Sequence, residues 1–313
     1  MTYPYGSGGN GTDTTYPSGK IIPELWSATY LVKWHLDTVF DKIVNTDYEG
    51  AFANMGDVIH IRTIPNMTIN KYYKGVAVSY ERPVHAVVDM YINQGQTWAF
   101  SLYDIDLKQS SIELAKTWAE EAKTQMHEAI ETELFEDWYT GAHADNKGAS
   151  AGAKSGDIDF GSAGAPRYVN ADNVDDLITD VSLAFSEQNV PRGDRALVVP
   201  EWVGKFVKLS KMFTADKTGD SKGRLLSGVL GEVDGVMIYT SNNVEYTTDA
   251  TAGVTAYNAF ANHKKAISFA TQLAENEVLR DPDDFQDLSR GLQIYGSKVT
   301  KAEGVIHLYI AKG

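Results

Sequence analysis

From Asp106 to Thr140 the chain contains neither glycine nor proline, and that uninterrupted run constrains everything around it. Ser110 and Glu113 have the spacing of a capping box, so the sequence predicts a helix that starts there or one turn earlier, at Asp106. Ile112, Ala115, Ala119, Ala122, Met126, Ala129, Ile130 and Leu134 recur at three- and four-residue steps and form one narrow, alanine-rich stripe. Glu113, Lys116, Glu120, Lys123, Glu131 and Glu136 are expected on the remaining, solvated surface. Gly141 supplies the stop, because glycine takes the left-handed backbone that closes a helix. Roughly 34 residues at ~1.5 Å each give a rod of roughly 50 Å, longer than a compact small domain is wide. Such a helix lies across a sheet as a spine, or else belongs to a bundle.

The flanks decide between these. Residues 1–20 are Gly, Ser, Thr, Tyr and Pro, too poor in aliphatic side chains to fold alone. They read as an arm whose Tyr3, Tyr5 and Tyr16 gain contacts only when another surface is present. Leu25, Trp26, Leu31, Val32, Leu36, Val39 and Phe40 suggest a short amphipathic helix, followed by a connector from Asn45 to Gly56. Val58–Ile64 and Val84–Phe100 are β-rich and long enough to pair as one antiparallel hairpin. Between them lie Lys71, Tyr72, Tyr73, Lys74 and Arg82, a polar and aromatic stretch with too few aliphatic residues for a core. A two-stranded ribbon is marginal alone in water, so it is expected to lie against another subunit, its cations meeting carboxylates there.

After the long helix, Ala142–Arg167 is rich in Gly, Ala, Ser and Asp and reads as a surface excursion. A second helix is expected over Asn173–Gln188, with Val174, Leu177, Ile178, Val181 and Phe185 on its buried face. Asn189–Asp194 is a turn, Ala196–Val199 a buried strand, and Glu201–Phe213 a helix carrying Trp202, Val203, Phe206, Leu209, Met212 and Phe213. Glycine turns alternate with strand residues from Gly228 to Tyr239, and Asn258–Ala270 and Gly291–Ile310 supply further strands. Strands followed by a helix and then mixed elements indicate an α+β class.

Chemistry is sparse. The net charge of −14 argues against a protein that grips phosphates, and the absence of cysteine removes thiolate catalysis, disulfides and cysteine zinc sites. No apolar run is long enough for a membrane span. None of the seven histidines stands at metal-ligand spacing; His60 and His85 face each other if the hairpin pairs that way, but read as ordinary strand residues. The acidic run Asp281–Asp287 lacks the glycine and final glutamate of a calcium loop and reads as a solvated turn. No nucleophile elbow, P-loop or dinucleotide fingerprint occurs, so no catalytic, cofactor-binding or metal-binding residue is assigned.

The order of elements resembles the major capsid proteins of tailed bacteriophages, with the Hong Kong 97-type fold. The segments that carry this are Ile22-Pro23-Glu24-Leu25-Trp26-Ser27, Gly56–Ile61 continuing through Tyr72-Tyr73-Lys74-Gly75 to Tyr103-Asp104, and the helix Asp106–Gly141. Asn189–Pro200, Gly235–Asn243, Leu279–Pro282 and Arg290–Gly296 continue the likeness, which spans residues 20–313. It implies an N-terminal arm (1–55), an extended β-hairpin loop (56–101), a peripheral domain with the spine helix (102–170 and 271–300) and a mixed α/β axial domain (171–270 and 301–313). It implies a virion shell built of hexamers and pentamers, assembled in the host cytoplasm, with no enzymatic activity and no cofactor. Double-stranded DNA is enclosed without specific recognition. A portal protein, a scaffolding protein encoded separately (only some twenty residues precede the arm) and a decoration or cement protein are the further partners implied. Tyr3, Tyr5, Tyr16, Trp26, Lys71, Tyr72, Tyr73, Lys74 and Arg82 become the candidate inter-subunit contacts. Some members crosslink a loop lysine to a neighbour's asparagine; Lys71 and Lys74 stand in the loop, but no matching asparagine or glutamate is identified. An encapsulin-like compartment shell would share the fold but lacks a suggested cargo groove, and an α+β enzyme or sugar-binding protein lacks any motif.

Overall fold

The computed structural model describes residues 38–48, residues 58–104 apart from 66, 76, 78 and 79, residues 114–210 and residues 231–313. The N-terminal arm with Tyr3, Tyr5, Tyr16 and Trp26, the capping box at Ser110 and Glu113, and Met212 and Phe213 lie outside the described residues.

The described residues form two main sheets, of seven and three strands, and a separate two-stranded ribbon. The larger has seven strands: β4 (Arg167–Val169), β12 (Val305–Lys312), β9 (Val254–His263), β5 (Arg195–Val199), β7 (Val236–Thr240) and β6 (Glu232–Val233) in that order, with β8 (Tyr246–Asp249) paired to β9. β12 with β4 and β5 with β7 run parallel; the other pairs are antiparallel. Its central strands β12, β9 and β5 are largely apolar on both faces, as strands covered on both sides must be. Leu197, Val199, Ala259, Ala261, Ile306, Leu308 and Ile310 face one core, with Val174, Leu177, Ile178, Val181 and Phe185 of α3 (Val174–Glu187) and Val203 and Val207 of α4 (Glu201–Leu209). Ala196, Val198, Phe260 and Val305 alternate to the opposite face and meet α2 (Leu114–Thr140). The turn before β5 is pinned by the buried Arg195, whose guanidinium donates to the carbonyls of Pro191, Val190 and Ser182 at 2.9, 2.7 and 3.3 Å. Asp234 and Gly235 both have positive φ, 49° and 76°, the two-residue turn that suits the twist of the β6–β7 hairpin.

The smaller sheet has three antiparallel strands in the order β10 (Ile267–Arg280), β11 (Gln286–Val299) and β3 (Gln94–Tyr103). The β-rich run from Val84 therefore does not form one hairpin arm as expected. It divides at Ile92 and Asn93: β2 (Val87–Tyr91) pairs with β1 (Val58–Arg62), and β3 joins β11. Burial drives the division, because Ile92 and Met90 are taken into a small core with Ile61, Ala270 and Ile294. The face opposite this core receives α2. Trp98 and Phe100 stack at 5.4 Å, Trp118 of α2 meets Phe100 edge-on at 5.7 Å, and the Trp98 indole lies on Gly291. A methyl at Gly291 would sit 2.5 Å from that ring, so a side chain there would have to displace the indole.

Other expectations also change. The buried side of α2 is Met126, Ile130, Leu134, Phe135 and Trp138; Ala129 is exposed and Ala119 and Ala122 are half-buried. Glu131, expected in solvent, is fully buried. The excursion after α2 is not wholly at the surface: Asn146, Ala151, Ile158 and Phe160 are buried, and Asn146 donates to the carbonyls of Glu303 and Val305 at 2.9 and 3.0 Å. Leu209, one of the apolar residues of the helix expected over Glu201–Phe213, is exposed. The strand expected over Asn258–Ala270 is broken by a 3-10 turn, Lys264–Ala266, which carries the chain from one sheet to the other.

Candidate inter-subunit surfaces

The β1–β2 ribbon has a firm root and a bare end. Five rungs, from Val58↔Tyr91 to Arg62↔Val87, are followed by the Thr63 amide donating to the Ala86 carbonyl at 2.9 Å. Beyond this point the described residues 64–86 form no ladder. The segment is held instead by Glu81, which accepts from the Thr68 amide at 2.6 Å and its hydroxyl at 2.8 Å. The Thr68 amide, then its hydroxyl, hold the Glu81 carboxyl below its ordinary range. Lys74 and Gly75 form the turn at the end, Gly75 with φ of 88°.

Lys71, Tyr72, Tyr73, Lys74 and Arg82 are all exposed on this end. Apolar side chains that sequence reasoning passed over stand beside them: Ile64 is 90% exposed, Ile69 91% and Tyr80 95%. Met67 and Val84 are exposed as well. Five large apolar side chains are thus bared on one short segment. Residues 58–91 carry four cations, Arg62, Lys71, Lys74 and Arg82, against two carboxylates, Glu81 and Asp89, in a chain whose net charge is −14. His60 and His85 are not brought together: His60 Nδ1 lies 2.7 Å from Asp89 across the ribbon, and His85 Nδ1 lies 3.4 Å from the Thr63 carbonyl.

The helix α2 is the junction between the three-stranded sheet and the larger one. Towards the small sheet, Glu133 accepts from Gln96 at 3.0 Å and from the Tyr295 hydroxyl, and Asp137 accepts from Gln94 at 3.3 Å. Burial, then the bond to Glu133, raises the Tyr295 hydroxyl pKa. Towards the large sheet, Glu131 accepts from the Val39 amide at 2.9 Å and the Ser241 hydroxyl at 2.8 Å. Burial raises the Glu131 pKa, with the hydrogen bonds opposing. At the helix end, the Tyr139 hydroxyl donates to Glu245, which also accepts from the Asn258 side chain at 3.0 Å. The His307 ring stacks on Tyr139 at 4.7 Å, and its Nε2 lies 3.0 Å from Asn258 Oδ1. Burial, assisted by the Lys147 cation, pulls His307 down to about 4.

At the far end of the small sheet, Arg280 makes a two-pronged pair with Asp104, both contacts at 2.5 Å, and reaches Asp287 at 3.0 Å. The acidic run is the turn between β10 and β11. Asp281 accepts from the Asp283 amide at 2.9 Å and from the Gln286 side chain. Among the described residues no three metal-ligating side chains stand together. No helix among them is long and apolar enough to cross a membrane.

No protein-family model and no curated protein matches the sequence. Solved structures do. A chain from Mycobacterium phage Che8 is 29% identical with a TM-score of 0.71, the match covering 93% of this chain and 97% of that one. The capsid of Cyanophage Pam1 matches with a TM-score of 0.68 at 12% identity over 96% and 99% of the two chains. The capsid of Ralstonia phage GP4 matches with a TM-score of 0.66 at 14% identity over 98% and 99%. The fold is that found in phage capsids.

Proposed function

We propose that this chain is the major capsid protein of a tailed bacteriophage, a shell subunit that associates with copies of itself. The observation that carries this is the match to phage capsid chains over nearly the full length of both partners. An α+β subunit of the Hong Kong 97 type follows as the finer reading. Here α2 and the three-stranded sheet are the peripheral domain, the seven-stranded sheet with α3 and α4 is the axial domain, and the ribbon is the extended loop.

The ribbon is the device by which one copy holds the next. Its bare Ile64, Ile69 and Tyr80 give up water on docking, and Lys71, Lys74 and Arg82 find carboxylates on the neighbour, with the outer side of α2 as the natural acceptor. In this reading the subunit is no enzyme; it assembles in the host cytoplasm into hexamers and pentamers around double-stranded DNA. The acidic chain then contains the DNA without gripping it. A portal protein, a scaffolding protein and a decoration or cement protein complete the partners in this reading.

Electron microscopy of the purified protein tests the reading. Uniform hollow particles are expected, and DNA within particles from infected cells separates a phage shell from an encapsulin-like compartment. A protein that stays monomeric under every assembly condition overturns it.

A further inference from the structure

The two sheets exchange no strand pairing; besides α2, which links β3 of the small sheet to β4 of the large one and packs on both, two adjacent crossings carry the chain between them. One is Lys264–Ala266, between β9 and β10; the other is residues 300–304, between β11 and β12. They meet at a single carbonyl: Ala266 O accepts from the Thr300 amide at 2.8 Å, its hydroxyl at 3.0 Å and the Lys301 amide at 3.2 Å. Two short crossings fastened at one point have the form of a hinge.

Residues 39–45, which include the single turn α1 (Phe40–Ile43), lie across that hinge and touch every part that it joins. The Val39 amide donates to Glu131 of α2 at 2.9 Å. The Ile43 carbonyl accepts from Asn262 of β9 at 2.7 Å, which fastens the segment to the large sheet. The Asn45 amide donates to the Ile267 carbonyl at 2.9 Å and its carbonyl accepts from the Phe269 amide at 3.0 Å, which fastens it to the small sheet. Phe40 meets Phe269 edge-on at 5.5 Å, and Val39, Phe40, Ile43 and Val44 are buried. Beside the large sheet, Lys42 and Ile43 line a cavity of about 230 Å³ together with Arg195, Tyr239 and Lys264 of the crossing.

Glu131 is the odd member of this arrangement. A buried carboxylate in an apolar core is costly unless its oxygens are satisfied, and Glu131 takes its donors from two different segments: the amides of Val39 and Phe40, and Ser241 and Asn243 of the large sheet's β7–β8 loop. An apolar residue would pack the helix as well. The carboxylate adds dependence on the segment being seated.

We infer that residues 39–45 are a strap across the inter-sheet hinge, keyed by Glu131. With the strap seated, α2 and both sheets hold one relation; with it lifted, the small sheet turns about the two crossings while each sheet stays intact. The inference holds whether or not the subunit builds a shell.

The absence of native cysteine permits spin labels at Thr97→Cys on β3 and Thr247→Cys on β8, both exposed, so one inter-sheet distance reports the hinge. In the otherwise unchanged full chain, a single narrow distance distribution is expected. Glu131→Gln and, separately, Asn262→Ala should broaden it. Hydrogen exchange at Asn45, Phe269, Thr300 and Lys301 should accelerate about tenfold, the loss of roughly one hydrogen bond. Amides of Val198 and Phe260, inside the large sheet, should not change. A narrow distribution unaltered by both variants, or exchange accelerated equally across both sheets, overturns the strap. If Glu131→Gln fails to fold, Asn262→Ala alone decides by the same readings.

Discussion

His307→Phe probes the joint between the end of α2 and the large sheet. In the native chain the neutral imidazole stacks on Tyr139 and bonds Asn258 through Nε2. Burial is the main reason that its pKa falls from 6.5 to about 4. A histidine held neutral in the folded state contributes stability fully above its unfolded pKa, and that contribution is lost as pH falls from 6.5 towards 4. At about 1.4 kcal/mol for each pH unit of that window, the loss is about 3 kcal/mol. Phenylalanine keeps the ring on Tyr139 but leaves Asn258 Oδ1 without its donor, a penalty of about 1–2 kcal/mol that does not depend on pH. Urea unfolding of unassembled subunits from about pH 7.5 to about pH 4 reads both terms, because acid losses from carboxylates are common to the two proteins and cancel. The native protein should be the more stable at neutral pH and the variant the more stable near pH 4. A difference that stays constant within about 0.5 kcal/mol across the range refutes the reasoning.

Replacing Lys71, Lys74 and Arg82 together by Ala should lower the yield of assembled particles while leaving the urea midpoint of free subunits unchanged, since exposed pairs are worth about 1 kcal/mol or less each; normal assembly would remove these cations from the interface. On α2, Ala129→Glu should change stability by no more than about 0.5 kcal/mol, whereas Ile130→Glu should cost several kcal/mol, both read by thermal unfolding. The pKa of Glu131 is raised from 4.5 by burial, so its penalty is greatest at neutral pH and is relieved as pH falls through the folded pKa towards 4.5. The native chain should therefore gain on Glu131→Gln over that window, and a gain as pH rises would mean that the carboxylate is favoured in its site.

Much of the large sheet was legible because its residues repeat one environment. All five apolar positions expected on α3 are buried, and so are all of Ala196–Val199 in β5, as an unbroken apolar run between turns requires. The long helix was harder. Its partner changes along its length, from the Trp98 and Phe100 platform of the small sheet to Phe260 of the large one. One straight stripe therefore fails: Ala129 falls outside it, and Phe135 and Trp138 enter. Glu131 looked like surface charge because nothing local signals that residue 39 and Ser241 bring donors from 92 and 110 residues away. The division between β2 and β3 left no propensity mark either, since it follows from tertiary burial of Ile92. The ribbon's cations and tyrosines were legible from composition, but the exposure of Ile64, Ile69 and Tyr80 was not, because exposed and buried aliphatic residues read alike in a sequence.

The central claim is that copies of this chain build a shell by laying the ribbon of one on the next. A cryo-electron microscopy map of the assembled particle, at a resolution that traces side chains, tests it most directly. The account predicts a closed shell in which Ile64, Ile69 and Tyr80 are buried against a second copy, with Lys71, Lys74 and Arg82 facing its carboxylates. A closed shell whose ribbons remain in solvent would contradict it.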